Sequence, residues 1–191
     1  METRGTFVVI LGPTGSGKGA LMGHIRDLHP EYVFPPSCTT RAMRPGEVEG
    51  RDHYFVEKTD FERRIAAGEF LEWAEYGENY YGSLREEILP ALEQGKIVVA
   101  ELDVQGVRSV QQALPPEQFV SIYVDAGSWD ELERRVRARG PMSDSELVKR
   151  KKRYEDELTY KNEATYVVPN AQGQLDEAKK RVEAIMNALH G

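Results

Sequence analysis

Cysteine is almost missing from this 191-residue chain, with Cys38 standing alone. A single thiol excludes an internal disulfide and any cysteine-rich zinc site, and it fits a reducing compartment. Long apolar runs are missing too. The first, Phe7 to Leu11, is far short of the roughly 20 residues of a bilayer span. It is also too brief for a signal-peptide core, and it ends in Gly12 and Pro13. Nor is positive charge in excess. Lys plus Arg number 25 against 32 Asp plus Glu, a formal net charge of −7, which argues against a general nucleic-acid binder with a basic stripe. Repeats and low-complexity tracts are absent. The profile left is that of a soluble, cytoplasmic globular protein, long enough to bury a core without disulfide or metal staples.

Short apolar runs alternate with helical patterns, as in a parallel sheet with crossover helices. Phe7–Leu11, Ile97–Ala100 and Phe119–Val124 show no polar alternation and read as strands buried on both faces. Tyr166–Val168 is a shorter candidate, closed by Pro169, which cannot donate to a central ladder. Capping boxes, a hydroxyl residue with Glu three later, predict helix starts at Thr59/Glu62, Ser83/Glu86, Ser128/Glu131 and Ser143/Glu146. Leu175, Ala178, Val182, Ile185, Met186 and Leu189 form an apolar stripe at helical spacing, expected to pack against the sheet. The stretch from about Tyr32 to Ser83 is richer in Pro, Gly, Arg and aromatics and reads as an inserted subdomain.

Between the first strand and a helical pattern through Leu21, Ile25 and Leu28 lies Gly12, Pro13, Thr14, Gly15, Ser16, Gly17 and Lys18, a G-x-x-x-x-G-K loop. Its glycines let backbone N–H groups turn inward around phosphate oxygens, and the helix N-terminus adds positive potential. Lys18 supplies a full charge to the terminal phosphates. The expected fold is therefore α/β: a parallel-sheet core of the P-loop NTPase kind, with helices on both faces. One departure concerns magnesium. Gly19 and Ala20 follow the lysine where a Ser or Thr hydroxyl would ligate the metal, so its affinity is either weakened or carried by water and other side chains.

Further motifs stand in order along the chain: Ser37-Cys-Thr-Thr-Arg41-Ala-Met-Arg44-Pro-Gly-Glu-Val-Glu-Gly50, Glu69-Phe-Leu-Glu72-Trp73 and Asn79-Tyr-Tyr81-Gly-Ser83. With the loop they resemble the guanylate kinase family of P-loop nucleoside monophosphate kinases, from Val8 to about Leu189. The resemblance implies transfer of a phosphoryl group from ATP to GMP, with Mg2+ bridging the phosphates. It implies one domain over 1–191: a core of about 1–34, 84–128 and 160–191, a GMP-binding insert of about 35–83, and a helical lid of about 129–159.

The implied roles suit the residue types. Arg41 and Arg44 carry guanidinium forks that hold a doubly charged monophosphate bidentately. Tyr81 and Ser83 would complete that shell with hydroxyls, Glu72 would accept from the donors of guanine, and Ser37 would meet its acceptor edge. His53 falls where the family has a second phosphate-binding tyrosine, with Tyr54 displaced by one residue. A surface histidine without a role is the equal alternative. Glu101, where the family has Asp, and Asp103 share one face after the Ile97 strand. Glu101 is expected at the guanine base or the metal-bound water, and Asp103 at magnesium through water or merely as a cap of the next turn.

Arg135 and Arg139 lie four apart on the helix beginning at Ser128, and Arg150 lies beyond the break at 140–143. They match the family's lid arginines, which with Lys18 would stabilise the migrating charge. Asn170 matches a position near adenine, though Ala171 replaces the usual Asp. Two other functions stay open: a non-catalytic scaffold module of the same fold, and a P-loop kinase for another small phosphorylated acceptor.

Overall fold

A computed structural model of the chain describes residues 5–138, 140 and 142–189. The strands are β1 (Thr6–Leu11), β2 (Ser37–Thr39), β3 (His53–Phe55), β4 (Phe70–Tyr76), β5 (Asn79–Leu84), β6 (Ile97–Glu101), β7 (Phe119–Asp125) and β8 (Tyr166–Pro169). The helices are α1 (Lys18–Leu28), α2 (Lys58–Ala66), α3 (Arg85–Glu93), α4 (Val104–Ala113), α5 (Trp129–Arg137), α6 (Asp144–Leu158) and α7 (Leu175–Leu189). The expected α/β class is what the chain forms. All four strands read from the apolar runs fall in one sheet, ordered β6-β1-β7-β8. Phe7 to Leu11 are fully buried, as a strand covered on both faces must be. Pro169 lies opposite Asp125 on β8, an edge strand, where a missing N–H leaves no ladder gap.

The chain divides into two compact units. The first comprises Met1–Phe7, Tyr32–Ala100 and Gln105–Phe119. It holds a second sheet, β3-β2-β5-β4, with β4 and β5 joined as an antiparallel hairpin at Gly77 and Glu78. Gly77 takes φ 69°, a turn conformation that only glycine adopts without strain. Cys38, Phe61, Phe70 and Leu84 form the small core beneath this sheet, with Phe61 stacked on Phe70 at 4.3 Å. Burial pushes the Cys38 thiol up to about 11.

The second unit comprises Val8–Glu31, Glu101–Val104 and Val120–Gly191. Helix α7 packs on α1 through the expected stripe, of which Ala178, Val182 and Met186 are fully buried. Ser128 caps α5, and Ser143 with Glu146 forms the full reciprocal box on α6. The other two predicted boxes do not form. Helix α2 starts one residue before Thr59, with Glu57 as its N-cap residue, and α3 starts after Leu84 because Ser83 still belongs to β5. No helix among the described residues is long and apolar enough to cross a membrane.

Candidate active site

In the second unit the phosphate loop is shaped by its glycines. Gly12 (φ 133°) runs so close to β7 that a Cβ there would lie 2.5 Å from the Val124 carbonyl oxygen. Gly17 (φ 101°) is the N-cap residue of α1, and a Cβ on it would collide with the Asn170 amide. Both positions exclude any side chain. Asn170 is buried and its Nδ2 donates to the Ser16 carbonyl at 2.6 Å, so the residue expected near adenine braces the loop. The Lys18 ammonium donates to the Gly12 carbonyl at 2.5 Å and lies 3.5 Å from Glu101 Oε1. It is folded against its own loop, where the positive ends of loop and helix already favour an anion.

Glu101, expected at the base or the metal-bound water, is thus brought beside Lys18. Glu157 of α6 belongs to the same neighbourhood and carried no motif to announce it. Burial pushes its carboxyl up to about 7; the Lys18 ammonium pulls it down, while the Asp103 and Glu101 carboxylates raise it further. Its Oε2 is buried without a hydrogen-bond partner among the described residues. Around Gly15, Leu132 and Val136 of α5 would lie 3.3 and 3.1 Å from an added Cβ, so α5 packs directly on the loop. Arg135 Nη2 donates to Glu131 Oε1 at 2.9 Å, and Arg150 is half-buried on α6. Arg139 lies outside the described residues.

The first unit assembles the second set. Strands β2 and β3 run parallel with Ser37 opposite His53, and their side chains meet at 2.7 Å between Oγ and Nδ1. The Tyr81 ring stands edge-on to His53 at 6.3 Å. Burial, and then the Arg41 charge, lower the His53 pKa, so its imidazole is neutral at pH 7. Tyr54 donates instead to Glu87 at 2.6 Å, which takes its hydroxyl out of the set. The Arg41 fork is filled by Glu47, with both nitrogens donating at 2.6 Å, and the Arg44 backbone N–H adds a third bond at 2.8 Å. These bonds hold the Glu47 carboxyl down at about 2. Three donors therefore already converge on a two-oxygen anion. The sequence showed Glu47 only as part of the Ser37 to Gly50 motif and gave it no role, because its pairing depends on the path of the 42–52 loop.

Across the hairpin, Ser83 Oγ donates to Glu72 Oε1 at 2.6 Å, and both residues are buried. The hydroxyl read as a phosphate donor is committed here to the carboxylate read as a base reader. Thr39 and Thr40, also hydroxyl-bearing neighbours of Arg41, instead stitch β2 to the Tyr80 backbone at 2.9 Å each.

The family model for guanylate kinase matches residues 4–189. The chain belongs to the guanylate kinase family. A guanylate kinase of Synechococcus sp. strain JA-3-3Ab is 41% identical over 184 residues, covering 96% of this chain and 83% of that protein. One from Caldanaerobacter subterraneus subsp. tengcongensis is 36% identical over 188 residues, covering 98% and 89%. Among solved structures, the guanylate kinase of Anaplasma phagocytophilum aligns with a TM-score of 0.75 at 28% identity, covering 98% of this chain and 87% of that one. That match spans the phosphate loop, helices α5 and α6 and the second sheet alike.

Proposed function

We propose that the two residue sets divide the work of one reaction, the ATP-dependent phosphorylation of GMP to GDP. The observation that carries this reading is the phosphate cradle, Gly12 to Lys18, in a chain that belongs to the guanylate kinase family over nearly its whole length. Lys18 leaves its loop carbonyls for the β- and γ-phosphates of ATP. The GMP phosphate is held by Arg41 and Arg44, with Tyr81 and the neutral His53 as further donors. Glu72 accepts from the N1 and 2-amino groups of guanine, kept in place by Ser83, and Ser37 meets the O6 edge. A phosphate oxygen of GMP attacks the γ-phosphorus, the bond to the β–γ bridging oxygen breaks, and ADP leaves. That transition state spreads charge over the transferring oxygens and asks for cations rather than a general base. Arg135, Arg139 and Arg150 are proposed to supply them beside Lys18.

The family implies Mg2+, and the donor set limits how it is held. Gly19 and Ala20 offer no hydroxyl, and the described residues contain no group of three His, Cys, Asp or Glu side chains that could cage an ion. That chemistry suits an ion carried mainly by ATP phosphates and water, with Asp103 reaching it through water. Bound there, it would neutralise charge on the β- and γ-phosphates. We also propose the partition into core, GMP-binding insert (about 35–83) and lid (about 129–159), and a cytoplasmic location, in keeping with the single buried thiol.

Steady-state turnover with ATP and Mg2+ across GMP, AMP, CMP and UMP tests the reading. GMP is expected to be phosphorylated far ahead of the others. Equal rates overturn the Glu72 and Ser37 assignments, and no turnover overturns the function.

A further inference from the structure

We propose that Glu131 is the positioning residue of the lid arginine Arg135, fastening it to the turn that follows β8. The inference rests on the reading of Arg135 as a phosphoryl-stabilising group.

Glu131 Oε1 accepts two hydrogen bonds from different elements: Arg135 Nη2 at 2.9 Å, one turn along α5, and the backbone N–H of Gln172. Gln172 follows Asn170 two residues on, and Asn170's own N–H donates to the Asp125 carbonyl at 2.7 Å while its side chain holds the Ser16 carbonyl. An ordered path therefore runs from Ser16 of the phosphate loop through Asn170 and its turn to Glu131 and Arg135. The other carboxylate oxygen, Oε2, lies against Gly127, where an added Cβ would come within 3.0 Å of it. Tyr154 of α6 donates to the Gly127 carbonyl at 3.1 Å and fixes that glycine in turn.

A plain helical i,i+4 pair on an exposed face is weak and would not fix an arginine. Glu133 and Arg137 make such a pair on the same helix, with the arginine side chain 48% exposed. Glu131 and Arg135 differ: their side chains are only 19% and 14% exposed, and a third partner shares the carboxylate. Arg135 Nε is buried with no hydrogen-bond partner among the described residues. A guanidinium cannot give up its proton, so this donor is left for an acceptor that arrives, and an oxyanion is the acceptor an arginine suits best. Holding the fork beforehand removes the ordering cost of a long side chain during the reaction.

The test compares Glu131→Ala, Glu131→Gln, Arg135→Ala and the double variant in steady state, after turnover of the wild-type protein has been established. Absent wild-type turnover would overturn the proposed function itself. With turnover present, Glu131→Ala is expected to lower kcat about tenfold with the KM for GMP unchanged. Glu131→Gln, which keeps an acceptor oxygen, should recover part of that loss. Added to Arg135→Ala, Glu131→Ala should cost nothing more, because the residue acts through the arginine. Glu133→Ala serves as the control for helix stability and should leave kcat unchanged. An unchanged kcat in Glu131→Ala, or a full further loss in the double variant, overturns the inference.

Discussion

Ser83 and Glu72 face each other across the β4–β5 ladder and share a buried 2.6 Å hydrogen bond. The serine hydroxyl occupies one carboxylate oxygen, so under the proposed assignment its effect on guanine runs through Glu72. Glu72→Gln replaces half of the acceptor by a donor and should raise the KM for GMP by on the order of tenfold to a hundredfold, the loss of a charged hydrogen bond. The KM for ATP should stay put. Ser83→Ala should move the same constant in the same direction but less, and equal effects on both substrates would contradict the assignment.

His53 and Tyr54 should separate cleanly. The imidazole lies against Ser37 and Tyr81, whereas the Tyr54 hydroxyl is committed to Glu87 and is pushed up to about 12, first by that bond. His53→Ala is expected to weaken GMP binding several-fold in titration calorimetry. Tyr54→Phe should leave it unchanged and only lower the melting temperature. A reversed pattern would return the phosphate role to the displaced tyrosine.

The glycines on either side of Lys18 differ in kind. Gly17→Ala must be strained, because φ is 101° and the new methyl collides with Asn170; it should abolish saturable ATP binding. An added side chain at Gly19 meets nothing within 4 Å. Gly19→Ser should therefore fold normally and gain about 0.5 kcal/mol of helix propensity. It should also lower the Mg2+ concentration giving half-maximal rate, the measurement that decides whether the missing hydroxyl matters.

Glu157 predicts a pH effect. Its carboxyl sits at about 7 in the folded protein against an ordinary 4.5, so the native state holds a proton that the unfolded chain has lost between those values. Stability from this group is present below about 4.5 and declines as pH rises through 7. Glu157→Gln should leave the melting temperature unchanged near pH 4.5 and raise it at pH 8, a gain on the order of 3 kcal/mol. A loss at pH 8 instead would show that the carboxylate is held charged by Lys18.

How far such residues could be read from sequence depended on how local their partners are. The phosphate loop was legible because seven contiguous residues and a flanking strand and helix specify it. The strands of the β6-β1-β7-β8 sheet were legible because burial on both faces leaves no polar residue to interrupt them. The second sheet was not: β2 and β3 are three residues each, and β5 begins with Asn79 and contains Gly82 and Ser83. Thr59 and Ser83 matched a capping pattern that also arises by chance, and for Ser83 the competing claim of Glu72 is stronger. Glu157 lacked any signature, while Glu47 showed only as one residue of a motif and Glu131 only as half of a capping box, since an acidic residue on a helix or loop reads as solvated until its tertiary partners are known.

Cys38 has a practical consequence. Its thiol lies on the floor of the β3-β2-β5-β4 sheet, fully buried and held protonated, so the folded protein should resist alkylation and survive mild oxidants. A thiol-reactive dye would then label only those molecules in which the core beneath that sheet has opened. Its rate at low denaturant would time the breathing of that unit separately from global unfolding, using the one natural handle the chain carries.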